Sequence, residues 1–210
     1  MQVLKDEVRN NILSAARSEF RKKGYLQASL RQIAFEAGMT IGNIYHYYKN
    51  KEQLFDAIVQ PVKEQYSAYL ADIRERIQLS YASEEPNATE YFNNIEVAMT
   101  RLFKTYSTEL TILLNQSKGS KYEPIKSDLV KLTFSLLESL LIKSRATGST
   151  LNTRDHALAQ MLASTVVEGL CLILRDNDES QTIEHLVDQF LYLYGEGITA
   201  ILTKNKIEEI

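Results

Sequence analysis

Residues 29–48 read SLRQIAFEAGMTIGNIYHYY. Ser29 is a preferred helix N-cap, and Gln32 stands three residues on to complete a capping box. Leu30, Ile33, Ala34 and Ala37 follow at helical spacing, so the pattern predicts a short helix. Gly38 breaks it. Thr40 is the next N-cap, for a second short helix through Tyr45 or beyond with Ile44 as its clear inward position. Two short helices joined by a glycine-containing turn have the spacing of a helix-turn-helix.

The flanks carry the same period. Upstream, Val8, Ile12, Ala15, Ala16 and Phe20 share one helix face, which Gly24 is placed to end. Downstream, Asn50 caps a helix carrying Leu54, Phe55, Ile58 and Val59, which Pro61 should kink or end locally before the pattern resumes toward Leu79. A further helix is expected from Asn87, capped with Glu90, to about Tyr106, followed by a short apolar segment, Leu110 to Gln116, that stops at the SKGSK loop. Then come a long helix over 123–146, a break at Gly148, and two helices with wide apolar stripes over 153–176 and 181–203. The reading gives about nine helices and no strand.

Composition agrees with an all-α fold. The chain of 210 residues is 44% hydrophobic and 24% charged, enough to bury a sizeable core. Only 8 residues are glycine, too few for the turns of a β-sandwich or a doubly wound α/β sheet. The single cysteine, Cys171, excludes a disulfide framework and reads as an inert core thiol. The start, MQVLKDEVRN, has no apolar segment of signal-peptide type, so a cytoplasmic protein is expected. The most apolar stretch, Leu158 to Leu174, is interrupted by Gln160 and Glu168, and no membrane span or membrane partner is expected.

Charge is uneven along the chain. Residues 1–60 carry 9 basic and 6 acidic side chains, whereas the whole chain has a formal net charge of -3. A small basic head on an acidic protein suits a polyanion bound by one end only. The helix TIGNIYHYY, residues 40–48, also offers surface chemistry for DNA. Gly42 allows close approach, Asn43 can hydrogen-bond a base edge, and the hydroxyl, imidazole and ammonium groups of Thr40, Tyr45, His46, Lys49 and Lys51 can reach phosphates.

From Ile12 to Val59, ILSAARSEFRKKGYLQASLRQIAFEAGMTIGNIYHYYKNKEQLFDAIV resembles the DNA-binding head of the tetracycline-repressor (TetR) family of bacterial regulators. The likeness rests on Ile33-Ala34 followed by Ala37-Gly38, on Gly42-Asn43-Ile44-Tyr45, and on the aromatic-to-lysine passage from Tyr45 to Lys51. It implies that Ser29, Thr40, Tyr45, His46 and Lys51 hold phosphates and that Arg31, Ile41, Gly42, Asn43 and Tyr47 lie near bases. Met39 and Tyr48 depart from the commoner β-branched residue and Phe, and both positions are expected to face inward.

The expected organisation is a helix-turn-helix DNA-binding domain over 1–51 and a helical effector-binding and dimerisation domain over 52–210. Tyr66, Tyr69, Tyr91, Phe92, Met99, Phe103, Tyr106 and Phe134 crowd the middle helices, where family members enclose a small-molecule pocket, and suit an aromatic or cationic effector. Asn115 and Gln116 are the polar groups expected to orient it. Gly169, Gly195, Gly197 and Ala200 permit close helix approach, and the resemblance implies a homodimer through the last two helices.

No phosphate-binding GK[ST], GxGxxG or HExxH motif is present, and the three histidines are far apart in sequence. No enzyme activity, metal or cofactor is therefore expected. The reading is a ligand-responsive transcriptional repressor that binds a palindromic operator. The alternative is a helical interaction module of the same fold without sequence-specific DNA binding.

Overall fold

The computed structural model describes residues 2–80, 88–143 and 150–208, and every regular element among them is a helix. In chain order these are α1 (Gln2–Gln27), α2 (Leu30–Glu36), α3 (Ile41–Tyr47), α4 (Lys51–Ser80), α5 (Ala88–Asn115), α6 (Ile125–Lys143), α7 (Thr153–Asp176) and α8 (Ser180–Glu208). These are eight helices where the sequence pattern predicts about nine. The difference lies in α5, which bends at Tyr106 (φ -129°, ψ 29°) and re-enters helical geometry, so that the expected separate segment 110–116 is its second half. α4 likewise continues through Pro61 as one helix. Val59 and Val62 on either side of the proline are fully buried, and their packing outweighs the missing backbone bond. Asn87, the expected cap of α5, lies outside the described residues.

The chain divides into two compact units, Met1–Ser67 with Tyr106–Ile125, and Ala68–Thr105 with Lys126–Ile210. The first unit thus reaches beyond residue 51, where the pattern predicts the domain boundary. Its core is Ile12, Ala16, Phe20, Ile33, Ala34, Ile44, Leu54, Phe55 and Ile58. Phe55 meets both Phe20 and Tyr25 edge-on at 5.0 Å between ring centroids. Tyr48 is buried as expected, and its hydroxyl accepts a long hydrogen bond of 3.4 Å from Arg9 Nε. Polar bonds tie the second half of α5 and the following loop into this unit. Arg17 Nε meets Glu109 Oε1 at 2.7 Å, the Tyr25 N–H donates to the Gln116 carbonyl at 2.8 Å, and Lys121 Nζ meets Asp56 Oδ2.

The second unit packs Leu137, Leu141, Ala159, Ala163, Ile198 and Leu202 into one cluster, with Phe134 and Tyr194 against it. Asn152 starts α7 with a full capping box. Its side chain accepts from the Arg154 and Asp155 N–H groups, and the Asp155 carboxylate accepts from the Asn152 N–H at 2.7 Å. By length and composition alone α7 is apolar enough to cross a membrane, although the sequence reading expects no span. Its Ala159, Ala163, Val167, Leu170 and Leu174 are buried within the second unit, the placement that a core helix of a bundle needs. Cys171 lies on the same face, and burial pushes its thiol up to about 11, so it is protonated and a poor nucleophile at neutral pH.

Gly169 is used inside the second unit. A Cβ at this position would stand 2.2 Å from Cζ of Phe190, so α7 and α8 pack here only because residue 169 has no side chain. Gly169→Ala is expected to destabilise the fold by about 1–3 kcal/mol through overpacking and to lower the thermal midpoint by several degrees. Phe190→Leu in the same chain should restore most of the loss. A circular-dichroism melt unchanged by Gly169→Ala would show that the ring is not held there.

Candidate nucleic-acid interface

Ile33 and Ala34 of α2 and Ile44 of α3 are buried, which fixes the pair on the rest of the first unit through its inner face. The turn between them depends on Gly38, whose φ of 69° is the left-handed conformation that glycine adopts without strain. The Gly38 N–H donates to the Phe35 carbonyl at 3.1 Å and the Met39 N–H to that of Ala34 at 2.9 Å, closing the end of α2. Thr40 then caps α3 as expected, its hydroxyl accepting from the Asn43 N–H at 3.4 Å.

The outer face of α3 collects the residues singled out in the sequence. Thr40, Gly42, Asn43, Tyr45 and His46 are exposed, with Ile41 and Tyr47 half-buried beside them. Ser29 and Arg31 of the preceding segment are exposed too. Tyr45 leaves 51% of its surface in solvent, and the His46 and Tyr47 rings meet edge to face at 5.4 Å. Nothing within the protein demands glycine at 42. Its φ is negative, and a Cβ there would meet only Thr40 Oγ1 at 3.7 Å, an ordinary contact. The missing side chain clears the outer surface of α3, where a DNA groove would approach.

The capping box is not formed, and Lys51 has partners that its sequence neighbourhood does not announce. Ser29 and Gln32 form no capping box: the Ser29 side chain makes no capping bond, and Gln32 Nε2 donates to Glu36 Oε1 at 3.3 Å. The Ser29 N–H donates instead to Glu19 Oε1 at 3.1 Å. Lys51 turns its ammonium onto backbone. Its Nζ donates to the carbonyls of Tyr25 at 2.7 Å and of Leu26 and Ala28 at 3.2 Å each, and lies 4.7 Å from the centre of the Tyr25 ring. Burial holds this ammonium below the ordinary lysine range. Sequence reading missed Glu19, which is only 4% exposed. The signal was available, because Glu19 sits three residues after Ala16 and four after Ala15, on the apolar stripe of α1.

A family model described as bacterial regulatory proteins, tetR family, matches residues 12–58. Over 188 residues the chain is 26% identical to the fatty acid metabolism regulator protein of Bacillus subtilis, covering 89% of this chain and 93% of that one. Over residues 12–58 the chain carries the DNA-binding head of the tetR family of bacterial regulatory proteins. It is a DNA-binding transcriptional regulator, and α3 is the recognition helix of its helix-turn-helix. Among solved structures, the transcriptional regulator FadR from Bacillus subtilis in complex with stearoyl-CoA shares the fold at a TM-score of 0.51 and 20% identity, over 89% of this chain and 97% of that one. NalD, the secondary repressor of the MexAB-OprM multidrug efflux pump in Pseudomonas aeruginosa, does so at 0.53 and 23%, over 90% and 95%.

The expected effector residues are less well gathered. The side chains of Tyr66, Tyr69, Tyr91 and Phe92 lie outside the described residues. Met99, Phe103 and Phe134 fall in the second unit, whereas Tyr106, Asn115 and Gln116 fall in the first. Gln116 is engaged there. Its carbonyl accepts from Tyr25, and its Oε1 lies 2.8 Å from where a Cβ of Gly24 would stand. In the second unit, Thr100 beside Met99 has a buried hydroxyl with no hydrogen-bond partner among the described residues. A lone threonine inside a helical run gives no sequence signal.

Asn43→Ala is expected to lower the preference for operator over mixed-sequence DNA by about 1–3 kcal/mol, the worth of a bidentate base contact. The thermal midpoint should stay nearly unchanged, because the side chain is exposed. Fluorescence anisotropy with both duplexes checks this, and equal losses on the two would assign Asn43 to phosphate.

Proposed function

We propose that the protein is a cytoplasmic repressor that binds a palindromic operator as a homodimer and leaves it when a small organic effector binds the body. The observation that carries the reading is the outer face of α3, where Gly42 has no internal reason to be glycine and Asn43 and Tyr45 stand exposed on a capped, anchored helix. In this reading Arg31, Ile41, Gly42, Asn43 and Tyr47 face bases, while Ser29, Thr40, Tyr45 and His46 hold phosphates. Anisotropy against an operator selected from a random DNA pool tests it. Equal affinity for the selected and mixed-sequence duplexes would favour the interaction module instead.

The dimer reading is supported by apolar residues that the second unit leaves exposed. Met161 and Leu172 on α7 and Leu186, Tyr192 and Leu193 on α8 are between 37% and 68% exposed. Met161 and Leu172 are three helical turns apart and share a stripe, as do Leu186 and Leu193 two turns apart. A second copy would cover them with a four-helix interface. Gly197 has nothing within 4 Å of a built Cβ and remains available for that approach, whereas Gly169 is occupied by Phe190.

For the effector, the similarity to a fatty acid metabolism regulator and the fold shared with a stearoyl-CoA complex support a ligand with a long apolar portion. Phe103, Phe134 and Met99 supply apolar wall, and the Thr100 hydroxyl supplies a polar contact. Stearoyl-CoA, coenzyme A and an aromatic cation tested in parallel by thermal shift should separate the chain, the nucleotide part and the cationic alternative. A shift with the aromatic cation alone would overturn the acyl reading.

Gly195→Leu, placed on the same helix, is expected to weaken the dimer by one to a few powers of ten in Kd, since overpacking of about 1–3 kcal/mol applies at each of two symmetric sites. Operator affinity should fall with it, because one head presents a single half-site. Sedimentation and operator titration on the same preparation check this. A tight dimer with unaltered operator affinity would move the interface away from Gly195.

A further inference from the structure

We infer that Glu19 and Lys51 are positioning residues that clamp the turn from Tyr25 to Ser29 from its two ends, and that Lys51 acts on DNA through this turn rather than by contacting a phosphate. The turn begins at Gly24, where φ is 71°, and delivers the chain to the N-cap of α2. Its polar groups face two charges of opposite sign. The carbonyls of Tyr25, Leu26 and Ala28 accept from the Lys51 ammonium, which is the side chain suited to the orphan carbonyls at the end of α1. The Ser29 N–H, a donor that faces away from those carbonyls along the chain, goes to the buried Glu19 carboxylate. With three acceptors at 2.7–3.2 Å, all three protons of the Lys51 ammonium are engaged inside the protein.

The consequence concerns Ser29. An N-cap serine ordinarily turns its hydroxyl back onto its own helix, but here the side chain makes no capping bond and is exposed. Glu19 holds the backbone in place by its N–H and so leaves the hydroxyl for a phosphate. Glu19 and Lys51 therefore set where α2 presents Ser29 and Arg31, although neither needs to touch DNA. This rests on the DNA-binding reading of α2 and α3, and the test includes a measurement without DNA.

The full-length protein is compared with Lys51→Met, Glu19→Leu and Glu19→Gln by amide hydrogen exchange and by anisotropy with the selected operator over a range of salt. Lys51→Met keeps the apolar stem over Tyr25 and removes the donors. Its expected signature is weaker operator binding, an unchanged slope of log K against log salt, and faster exchange at Tyr25 and Ala28, whose N–H groups hold the same turn. A slope flatter by about 0.9 with unchanged exchange would return Lys51 to the phosphate contacts. Glu19→Leu should speed exchange of the Ser29 amide about tenfold or more and weaken operator binding, whereas Glu19→Gln, which keeps an acceptor oxygen, should restore both. A Ser29 amide as protected in Glu19→Leu as in the wild type, or a Gln variant as impaired as the Leu one, would overturn the assignment of Glu19. If exchange changes as expected while no variant alters operator binding, the clamp exists but its role in presenting α2 is refuted.

Discussion

The head depends on the interruption of α1 near its end. At Gly24 the backbone enters a conformation with φ of 71°, and Gln116 Oε1 lies so close that a Cβ would stand 2.8 Å from it. Glycine is favoured here by the dihedral, while the amide end of the Gln116 side chain can turn aside from a Cβ. A side chain here would strain this dihedral, and relief of that strain would displace the following turn. After it come the N-cap of α2, the buried pair Ile33 and Ala34, the left-handed Gly38, and then α3.

The charges of the head divide into two groups by what they face. Arg31 and Lys49 are exposed. Lys51 and Arg17 are half-buried and engaged within the first unit, on the carbonyls of the turn and on Glu109, while the exposed Arg9 reaches the Tyr48 hydroxyl. A positive charge on a short stretch of sequence is therefore not the same as a positive surface. Buried or half-buried ammonium and guanidinium groups satisfy helix ends and carboxylates, where desolvation makes an unpaired partner costly. Arg31 and Lys49 keep their charges at the surface, free to meet a partner in solvent.

The second unit makes a similar division of its apolar residues. Ala159, Ala163 and Leu174 of α7 are fully buried, while Met161 and Leu172 on the same helix are about half exposed. The inner stripe mixes small residues with Val167, Leu170 and Leu174, and at Gly169 the absence of a side chain lets Phe190 of α8 approach closely. The larger residues on the outer stripe are the ones for which a second copy is proposed. One helix thus serves an interior and an interface with two separate faces.

How much of this was legible in the chain depends on the range of the interactions involved. The capped recognition helix, the left-handed Gly38, the buried Tyr48 and the span of α7 follow from residues within a few positions of one another, where helical period and cap chemistry act. The sequence by itself therefore determined the all-helical class, the helix-turn-helix and its outward residues. Tertiary structure alone decided that Glu19, rather than Gln32, serves the N-terminus of α2, because that bond spans ten positions. It also decided that the Lys51 ammonium serves carbonyls 23 to 26 positions earlier, that Gln116 lies against Gly24, and that Gly169 receives Phe190. A charged side chain has the same local preference whether it meets a phosphate or a carbonyl. Only the packing of distant segments determines which of the two it reaches.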